Sequence, residues 1–217
     1  MANLTLVIGN KNYSSWSLRP WLLMSHFGLR FSEQRIALFT DSTDARLAPY
    51  FSGLKVPVLL DRELTVWDSL AICEYLSETF LDGRGWPADC HARAAARSVS
   101  AEMHSSFSHV RSEMPMNCRR EPRPISLSVQ ALAEIDRIVQ IWNKCHSNYG
   151  QTGEWLFGEF SIADAMFAPV ALRFHSYAIA LDDYAQAYVQ SVLTHPDVRH
   201  WMDAGRQETE VIEADER

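Results

Sequence analysis

Apolar and polar positions follow two different periods along the first eighty residues. Short β-rich runs, of which LTLVIG is the first, are separated by segments whose apolar residues recur at helical spacing. In one such segment Leu18, Trp21 and Leu22 precede Gly28, a residue typical of the position just after a helix. The pattern predicts strands over residues 4–9, 31–38, 56–60 and 64–67, the last two as a hairpin, and helices over residues 17–27 and 70–80. The order β-α-β-(loop or α)-β-β-α predicts an α/β sandwich built on a mixed sheet.

The pattern changes after residue 80. Residues 81–90 contain two glycines and a proline, which indicates a linker. Beyond the linker every periodic segment is helical, and the predicted helices cover residues 91–114, 129–145, 162–179 and 184–193. In the second of these, Leu132, Ile135, Val139 and Trp142 keep the spacing of a buried face. We therefore predict an α/β domain over residues 1–80, a linker over 81–90 and an all-helical domain over 91–217.

Composition limits the classes of function. With 47% hydrophobic residues, the 217-residue chain can bury a sizeable core. No apolar run approaches the roughly 18 residues of a membrane span. The net charge of −7 argues against nucleic acid as the main partner, because phosphate binding needs a basic face. The N-terminus MANLTLVIG carries no basic leader and no cleavage site, so we expect no export signal and no membrane partner.

The four cysteines predict neither disulfides nor a metal site. Cys73, Cys90, Cys118 and Cys145 form no CxxC pair. The histidines around His104 have no cysteine or carboxylate at a metal-ligand spacing. Scattered thiols without an export signal indicate a reducing compartment, and we expect a cytoplasmic protein that binds no metal.

The segment NKNYSSWSLRPWL marks the start of the first helix. Because proline is tolerated near the first turn of a helix, Pro20 predicts that the helix begins at about residues 16 to 19. Ser14, Ser15 and Ser17 then lie at the positive end of that helix, just after the first strand. Free backbone N–H groups and small hydroxyls at such a junction suit an anion. The alternative is that one serine is an N-cap and the others are solvated.

Two further features favour a binding site over a simple cap. Val56-Pro57 interrupts a strand-like run, and we predict a cis bond that leaves the Val56 backbone N–H and C=O able to pair with an extended ligand. Asp68-Ser69 opens another helix, with a hydroxyl and exposed amides that suit a carboxylate.

With these elements in place, the chain resembles the cytosolic glutathione transferases over nearly its whole length. The resemblance rests on the serines before the first helix, on VPVL, on WDSLAICEYL about ten residues later, and on the helical second half. SSWSLR is most similar to the S-S-C-S-x-R of the zeta class and related bacterial proteins, although Trp16 stands where zeta proteins have cysteine. The segment around Ser161 and Asp164 is similar to the family's capping box, a structural helix start. The resemblance implies a thioredoxin-like N-terminal domain, an all-α C-terminal domain and glutathione as co-substrate.

The resemblance also implies how the thiol is activated. A free thiol has a pKa of about 8.5, so a transferase must favour the thiolate, and a hydroxyl at a helix start can do so by donating a hydrogen bond to sulfur. The first serine of the motif, Ser14, is then the thiol partner and Ser15 the second candidate. Tyr13 is a weaker alternative, since other classes use a tyrosine near this strand end. Arg19 is either a solvated helix arginine or a group that orients the Ser14 loop.

The remaining site residues follow from the same resemblance. Val56 would pair its backbone with the cysteinyl part of glutathione. Ser69 would hold the γ-glutamyl carboxylate, with Asp68 near the α-ammonium. The glutathione-binding set is completed by Ser14, Ser15, Trp16, Lys55 and Pro57.

The second substrate, a small electrophile, would lie between the domains. His104, Ser108 and Arg111 fall at i, i+4 and i+7 and would share one face of a single helix. They form either the solvent-exposed face of that helix or, with Trp16, a pocket for a polar or anionic substrate. Phe174 and Tyr177 line the pocket or, more commonly for such residues, pack in the core.

Three functions are consistent with these residues. The first is a glutathione transferase of the serine type, acting in detoxification. The second is a glutathione-dependent cis–trans isomerase of a maleyl-type diacid, and the third is a non-catalytic binding module of the same fold. The resemblance further implies a two-fold homodimer, with residues 61–67 and the helix at 91–114 as the natural surfaces.

Overall fold

The computed structural model describes residues 4–216. Four strands form one mixed sheet in the order β2-β1-β3-β4. Strand β1 runs parallel to β2, with Leu4 opposite Phe31, and antiparallel to β3; β3 and β4 form the predicted hairpin. The strands are β1 (Leu4–Ile8), β2 (Phe31–Arg35), β3 (Val58–Asp61) and β4 (Leu64–Trp67). The thioredoxin-like mixed sheet expected from the resemblance is therefore confirmed.

Three helices accompany the sheet: α1 (Ser15–His26), α2 (Thr43–Leu47) and α3 (Ser69–Phe80). Helix α1 begins one residue before the predicted window, so Pro20 is its sixth residue rather than part of its first turn. The helix ends at His26 with Phe27 as its C-cap, and Gly28 follows with φ +65°, a left-handed conformation that glycine adopts without strain. Strand β2 stops at Arg35 and is shorter than the predicted 31–38.

The rest of the described chain is helical. Within residues 4–216, the β pairing in this half is limited to two isolated bridges, Trp155 with Gly158 and Phe157 with Glu159. The helices are α4 (Cys90–Ser105), α5 (Ser108–Glu113), α6 (Val129–Cys145), α7 (Ile162–Ser176), α8 (Asp183–Thr194) and α9 (Pro196–Gln207), with a π-helical turn at His146–Gly150 and a short 3₁₀ turn at Glu213–Asp215.

The predictions for this half need three corrections. The single helix expected over 91–114 is broken, because Phe107 adopts a left-handed conformation with φ 64° between α4 and α5. Helix α9 was not predicted. In α6, Ile135 and Trp142 are buried as expected, but Leu132 is 50% exposed and lies off the buried face.

Helix α1 is central to the packing that positions the site. It contacts α3 on one side and α7 on the other, and α7 in turn packs against α4 and α8. The main apolar core runs from the sheet through α1 into these helices, and a smaller cluster of Val7, Ile36, Leu47 and Val58 lies under α2. Because α1 is packed on both sides, the residues at its start are held against both halves of the chain.

No helix among residues 4–216 is long and apolar enough to cross a membrane. All four cysteines are free, and three of them are buried: Cys73, Cys118 and Cys145. Burial raises the thiol pKa of Cys118 and of Cys145 to about 12, so these side chains stay protonated and pack as small apolar groups.

Candidate functional site

The start of α1 is buried and carries a short hydroxyl chain. Ser14 is the residue before the helix, but its side chain makes no capping hydrogen bond. Instead its hydroxyl donates to Ser17 Oγ at 2.7 Å, and Ser17 Oγ also accepts from the Gly9 N–H at 3.1 Å. The alternative interpretation, in which one serine is an N-cap, therefore does not hold for the Ser14 side chain. Its oxygen is held in place by a second serine one turn further on.

Ser15 has a different partner. Its Oγ accepts a hydrogen bond from Arg173 Nη2 at 3.1 Å, and Arg173 Nε donates to the Met114 carbonyl at 2.7 Å. Arg173 is buried, and burial together with the Arg111 charge lowers its pKa to about 10. Ser15 thus ties the start of α1 to α7 and to the chain after α5.

Trp16 contacts two arginines and a histidine. The Arg19 guanidinium carbon lies 4.2 Å from the centroid of the Trp16 ring, and that of Arg111 lies 4.6 Å away. His104 approaches the same ring edge-on, with centroids 5.2 Å apart. Such contacts are favourable because the face of an indole ring carries partial negative charge.

Arg19 is not the solvated arginine that one alternative expected. It is 1% exposed, and its Nε and Nη1 have no hydrogen-bond partner among the described residues. Burial and then the charges of Arg111 and Arg173 lower its pKa well below the usual range, while Asp68 acts in the opposite direction. Arg19 is therefore a buried cation whose hydrogen-bonding capacity is largely unused.

The three residues expected on one helical face are only partly brought together. Because the helix breaks at Phe107, Ser108 becomes the exposed first residue of α5. Arg111 turns back instead, and its Nη2 donates to the Met103 and His104 carbonyls. His104 and Arg111 meet at Trp16, whereas Ser108 has no described contact there.

The start of α3 is the second polar centre. Asp68 has φ 75°, and its Oδ1 accepts from the Leu70 and Ala71 N–H groups at 2.9 and 3.1 Å. Its Oδ2 lies 3.0 Å from His104 Nε2. Burial lowers the pKa of His104, which favours a neutral ring that donates from Nε2. Ser69 beside it is 1% exposed, and its hydroxyl has no partner among residues 4–216.

The segment before β3 has the predicted geometry. The Val56-Pro57 bond is cis, as expected. Val56 is half-buried, Pro57 is buried and Lys55 is exposed. In the described part of the chain the Val56 N–H and C=O make no backbone hydrogen bond, because sheet pairing of β3 starts at Val58.

Tyr13 points away from this region. Its hydroxyl donates to Glu216, receives a hydrogen bond from Arg119 and accepts from the Ile212 N–H. Burial, followed by the Glu216 carboxylate, raises the pKa of Tyr13. The alternative thiol partner is thus engaged by the C-terminal segment.

The two aromatic residues from the helical half also lie elsewhere. Phe174 and Tyr177 are each 1% exposed and belong to the core, and the Tyr177 hydroxyl donates to the Pro115 carbonyl at 3.1 Å. Of the two alternatives for Phe174 and Tyr177, the structure therefore supports packing in the core.

Sequence reasoning missed Arg173 and the anchoring role of Ser17. A signal for Arg173 was available, because a lone arginine interrupts the apolar run from Ala165 to Phe174 and an unpaired charge is costly in such a helix. Its partner Ser15 is 158 residues away, and no periodicity in the sequence links the two.

Comparison with known proteins bears on the N-terminal part most directly. Residues 13–79 match the family model described as glutathione S-transferase, N-terminal domain. That match includes the starts of both α1 and α3. A comparison of the chain with curated proteins found no match.

Solved structures match along nearly the whole chain. A glutathione transferase homologue from Burkholderia, with bound glutathione, is 21% identical with a TM-score of 0.72, covering 96% of this chain and 100% of its own. A rice transferase in complex with glutathione is 18% identical with a TM-score of 0.64, covering 97% and 99%. An unclassified transferase from Bombyx mori is 18% identical with a TM-score of 0.72, covering 94% of each chain. The chain therefore has the glutathione transferase fold, and residues 13–79 are similar to the N-terminal domain of that family.

Proposed function

We propose that the protein is a glutathione transferase that binds glutathione along β3 and the start of α3 and stabilises its thiolate at the start of α1. The observation that carries the proposal is the buried Ser69 hydroxyl, which has no partner within residues 4–216. A buried polar group without a partner costs free energy, so its retention at a helix N-terminus indicates a ligand.

The γ-glutamyl end of glutathione fits this helix start. Its carboxylate would accept from the Ser69 hydroxyl at the positive end of α3. Its ammonium would approach Asp68 Oδ2, which His104 already contacts. The cysteinyl part would pair with the Val56 backbone, and the exposed Lys55 and buried Pro57 flank that pairing.

Thiol activation needs one donor directed at sulfur. We assign it to Ser14, because its side chain caps no backbone group and its oxygen is held by Ser17. A hydroxyl can both donate and accept, so Ser17 can donate to Ser14 when the Ser14 proton turns to the thiolate. Lowering the thiol pKa by two units requires about 2.7 kcal/mol. A hydrogen bond to a charged group contributes roughly 1.5–3 kcal/mol, so no general base is required.

Calorimetry with glutathione tests the binding assignment. Ser69→Ala removes the donor for the carboxylate and should weaken binding about ten- to a hundred-fold. Ser77→Ala, another buried serine in α3, is the matched control and should bind as the parent does. Equal affinity for glutathione in both variants would show that the start of α3 is not the binding site.

The assembly and location follow as parts of the same proposal. Residues 61–67 expose Leu64 (47%) and Trp67 (53%), and Trp67 stacks on Phe51, which supports a two-fold homodimer through this surface. Free cysteines support a cytoplasmic, reducing location. We propose the boundaries 1–80, 81–90 and 91–217 for the glutathione-binding domain, the linker and the helical domain.

Two other functions are distinguished by the thiol of bound glutathione. A glutathione-dependent isomerase of a maleyl-type diacid would also bind glutathione as thiolate but would release it unchanged. A non-catalytic module would bind it without lowering the thiol pKa. Ultraviolet absorbance of the thiolate, followed against pH in the complex, separates the third function from the first two.

A further inference from the structure

The proposed glutathione contacts leave Arg19 without a role. Its guanidinium is almost fully buried, with two nitrogen atoms unpaired among the described residues. A buried charge is costly unless it is paired and hydrogen-bonded. Stacking on Trp16 satisfies none of its N–H donors, so the contacts within residues 4–216 do not fully offset that cost.

A second guanidinium shares the same ring. Arg111 lies over Trp16 as well, and its Nε also has no partner within residues 4–216. The two cations repel each other, which is one reason that the pKa of Arg19 is lowered. Asp68 is the carboxylate that acts on Arg19, but its oxygens already engage the start of α3 and His104.

Arg173 differs from these two arginines. Its Nε and Nη2 are used by the Met114 carbonyl and by Ser15, so it is a structural tether. The unpaired donors therefore belong to Arg19 and Arg111, which come from α1 and α5 and converge on one indole ring from the two halves of the chain.

We propose that Arg19 and Arg111 bind a carboxylate beside Trp16, and that this subsite selects electrophiles bearing a carboxylate group. The inference rests on the proposed function and names the substrate class for that site. A guanidinium presents its donors as a planar fork that matches the two oxygens of a carboxylate. The same chemistry could come from the glycyl carboxylate of glutathione, so the experiment contains an arm for each source.

The first arm compares two electrophiles of equal shape, 4-chloro-3,5-dinitrobenzoate and 4-chloro-3,5-dinitrobenzamide. In both, the glutathione thiolate forms a C–S bond and chloride leaves with the electron pair of the C–Cl bond. Arg19→Met should lower kcat/KM at least about tenfold for the benzoate and less than about threefold for the amide. Arg30→Met removes an exposed arginine at the end of the loop before β2 and should leave the ratio unchanged.

The second arm compares glutathione with its glycyl ethyl ester, using 1-chloro-2,4-dinitrobenzene as a neutral electrophile. If Arg19 binds the glycyl carboxylate, the parent should prefer glutathione to the ester, and Arg19→Met should abolish that preference. A selective loss in the first arm supports the proposal. A selective loss in the second arm alone would assign Arg19 to the glycyl carboxylate and would overturn the selection of electrophiles. If Arg19→Met lowers kcat/KM equally for both members of each pair of substrates, the carboxylate subsite is wrong.

Two controls keep the test decisive. If Arg19→Met does not fold, Arg19→Lys retains the charge without the fork and should still lose part of the preference for the carboxylate. Calorimetry with 4-chloro-3,5-dinitrobenzoate alone separates this inference from the proposed function. A protein that binds the benzoate through Arg19 but neither binds nor uses glutathione would refute the function and keep the subsite. A transferase that treats the benzoate and the amide alike, and the peptide and its ester alike, would refute the subsite and keep the function.

Discussion

Asp164, at the start of α7, and Arg19, in the second turn of α1, are both fully buried charged residues, but their hydrogen bonding differs. Asp164 accepts from the Leu156 N–H, from the N–H and hydroxyl of Ser161, and from the Tyr188 hydroxyl, at 2.9 to 3.2 Å. Arg19 has two nitrogen atoms with no partner among the described residues. A buried charge with a structural role has its hydrogen bonds satisfied by other groups of the fold.

The contrast separates polar groups that are hydrogen-bonded within the fold from those that we propose to bind a ligand. The capping box predicted at Ser161 and Asp164 is present, and it serves the folding of α7. At the starts of α1 and α3, by contrast, the Ser14 side chain makes no capping hydrogen bond and the Ser69 hydroxyl has no partner within residues 4–216. Helix starts that look alike in sequence therefore differ in whether their donors are already used.

The largest effect that the comparison predicts is on stability at Asp164. Asp164→Ala leaves the Leu156 and Ser161 N–H groups and the Tyr188 hydroxyl without an acceptor in a buried place. We expect a loss of about 3–5 kcal/mol in the free energy of unfolding, measured by urea denaturation. Asp183→Ala, an exposed acidic residue in the first turn of α8, should change it by less than about 0.5 kcal/mol. Similar stabilities of the two variants would contradict the structural role of Asp164.

The next effect is on catalysis at Ser14. Ser14→Ala removes the donor that we assign to the thiolate, while the groups that we propose to bind the rest of glutathione remain. The thiol pKa in the complex should rise toward about 8.5, and turnover of a neutral electrophile near neutral pH should fall by roughly ten- to a hundred-fold, equivalent to about 1.4–2.7 kcal/mol.

Ser15→Ala is the matched control for this prediction. It breaks the tether to Arg173 and should cost about 1 kcal/mol of stability with a smaller effect on turnover. If Ser15→Ala abolishes turnover and Ser14→Ala does not, the thiol partner is the second serine. If neither variant changes the thiol pKa, the serines do not activate glutathione.

A smaller effect of opposite sign is expected for the stability of an Arg19 variant. Arg19→Met removes a buried, largely unpaired charge and keeps much of the side-chain volume. Replacing buried charges with apolar groups is often stabilising, so the free energy of unfolding should rise by about 1 kcal/mol. Urea denaturation of the parent and of Arg19→Met measures it. If the free energy of unfolding falls by more than about 1 kcal/mol, Arg19 has a structural role like that of Asp164. The contrast between these two buried charges would then be wrong.

Local signals allowed much of this arrangement to be predicted from the sequence. The strand and helix order, the cis bond before Pro57 and the helix start at Asp68 depend on residues within one or two turns of each other. The break at Phe107 and the pairing of Arg173 with Ser15 depend on packing between distant segments. The meeting of Arg19 and Arg111 at Trp16 is of the same kind, because the two arginines come from different halves of the chain.

The smallest predicted effect is on the pH dependence of stability, at the contact between His26 and His195. There the hydrogen bonds are satisfied only while both rings are neutral. At the end of α1, His26 Nδ1 lies 2.9 Å from His195 Nε2, and His195 Nδ1 accepts from the Asp197 N–H at 3.2 Å. His195 must therefore carry its proton on Nε2 and donate it to His26. A proton added to His26 Nδ1 would place two donors against each other.

The pKa values of these two histidines give the sign of the pH dependence. Burial lowers both, and the neighbouring His195 lowers that of His26 further, while Asp197 acts on both rings in the opposite direction and Glu154 does so on His195. Because the unfolded chain binds protons at a higher pH than the folded one, stability is complete above about pH 6.5 and falls as pH drops toward the folded pKa values. His26 is exposed and solvent weakens its charge interactions, so the loss should be less than about 1 kcal/mol.

Urea denaturation at a series of pH values between 5 and 7.5 measures this loss, with about half-unit steps sufficient to define the slope. His26→Gln supplies an acceptor for His195 that does not titrate, so the decline toward acid pH should become shallower. His91→Gln, which changes an exposed histidine in α4, should keep the slope of the parent. A slope that is unchanged in His26→Gln would show that the contact between His26 and His195 is bonded equally well in both protonation states, and the distinction between this site and the one at Asp164 would then be lost.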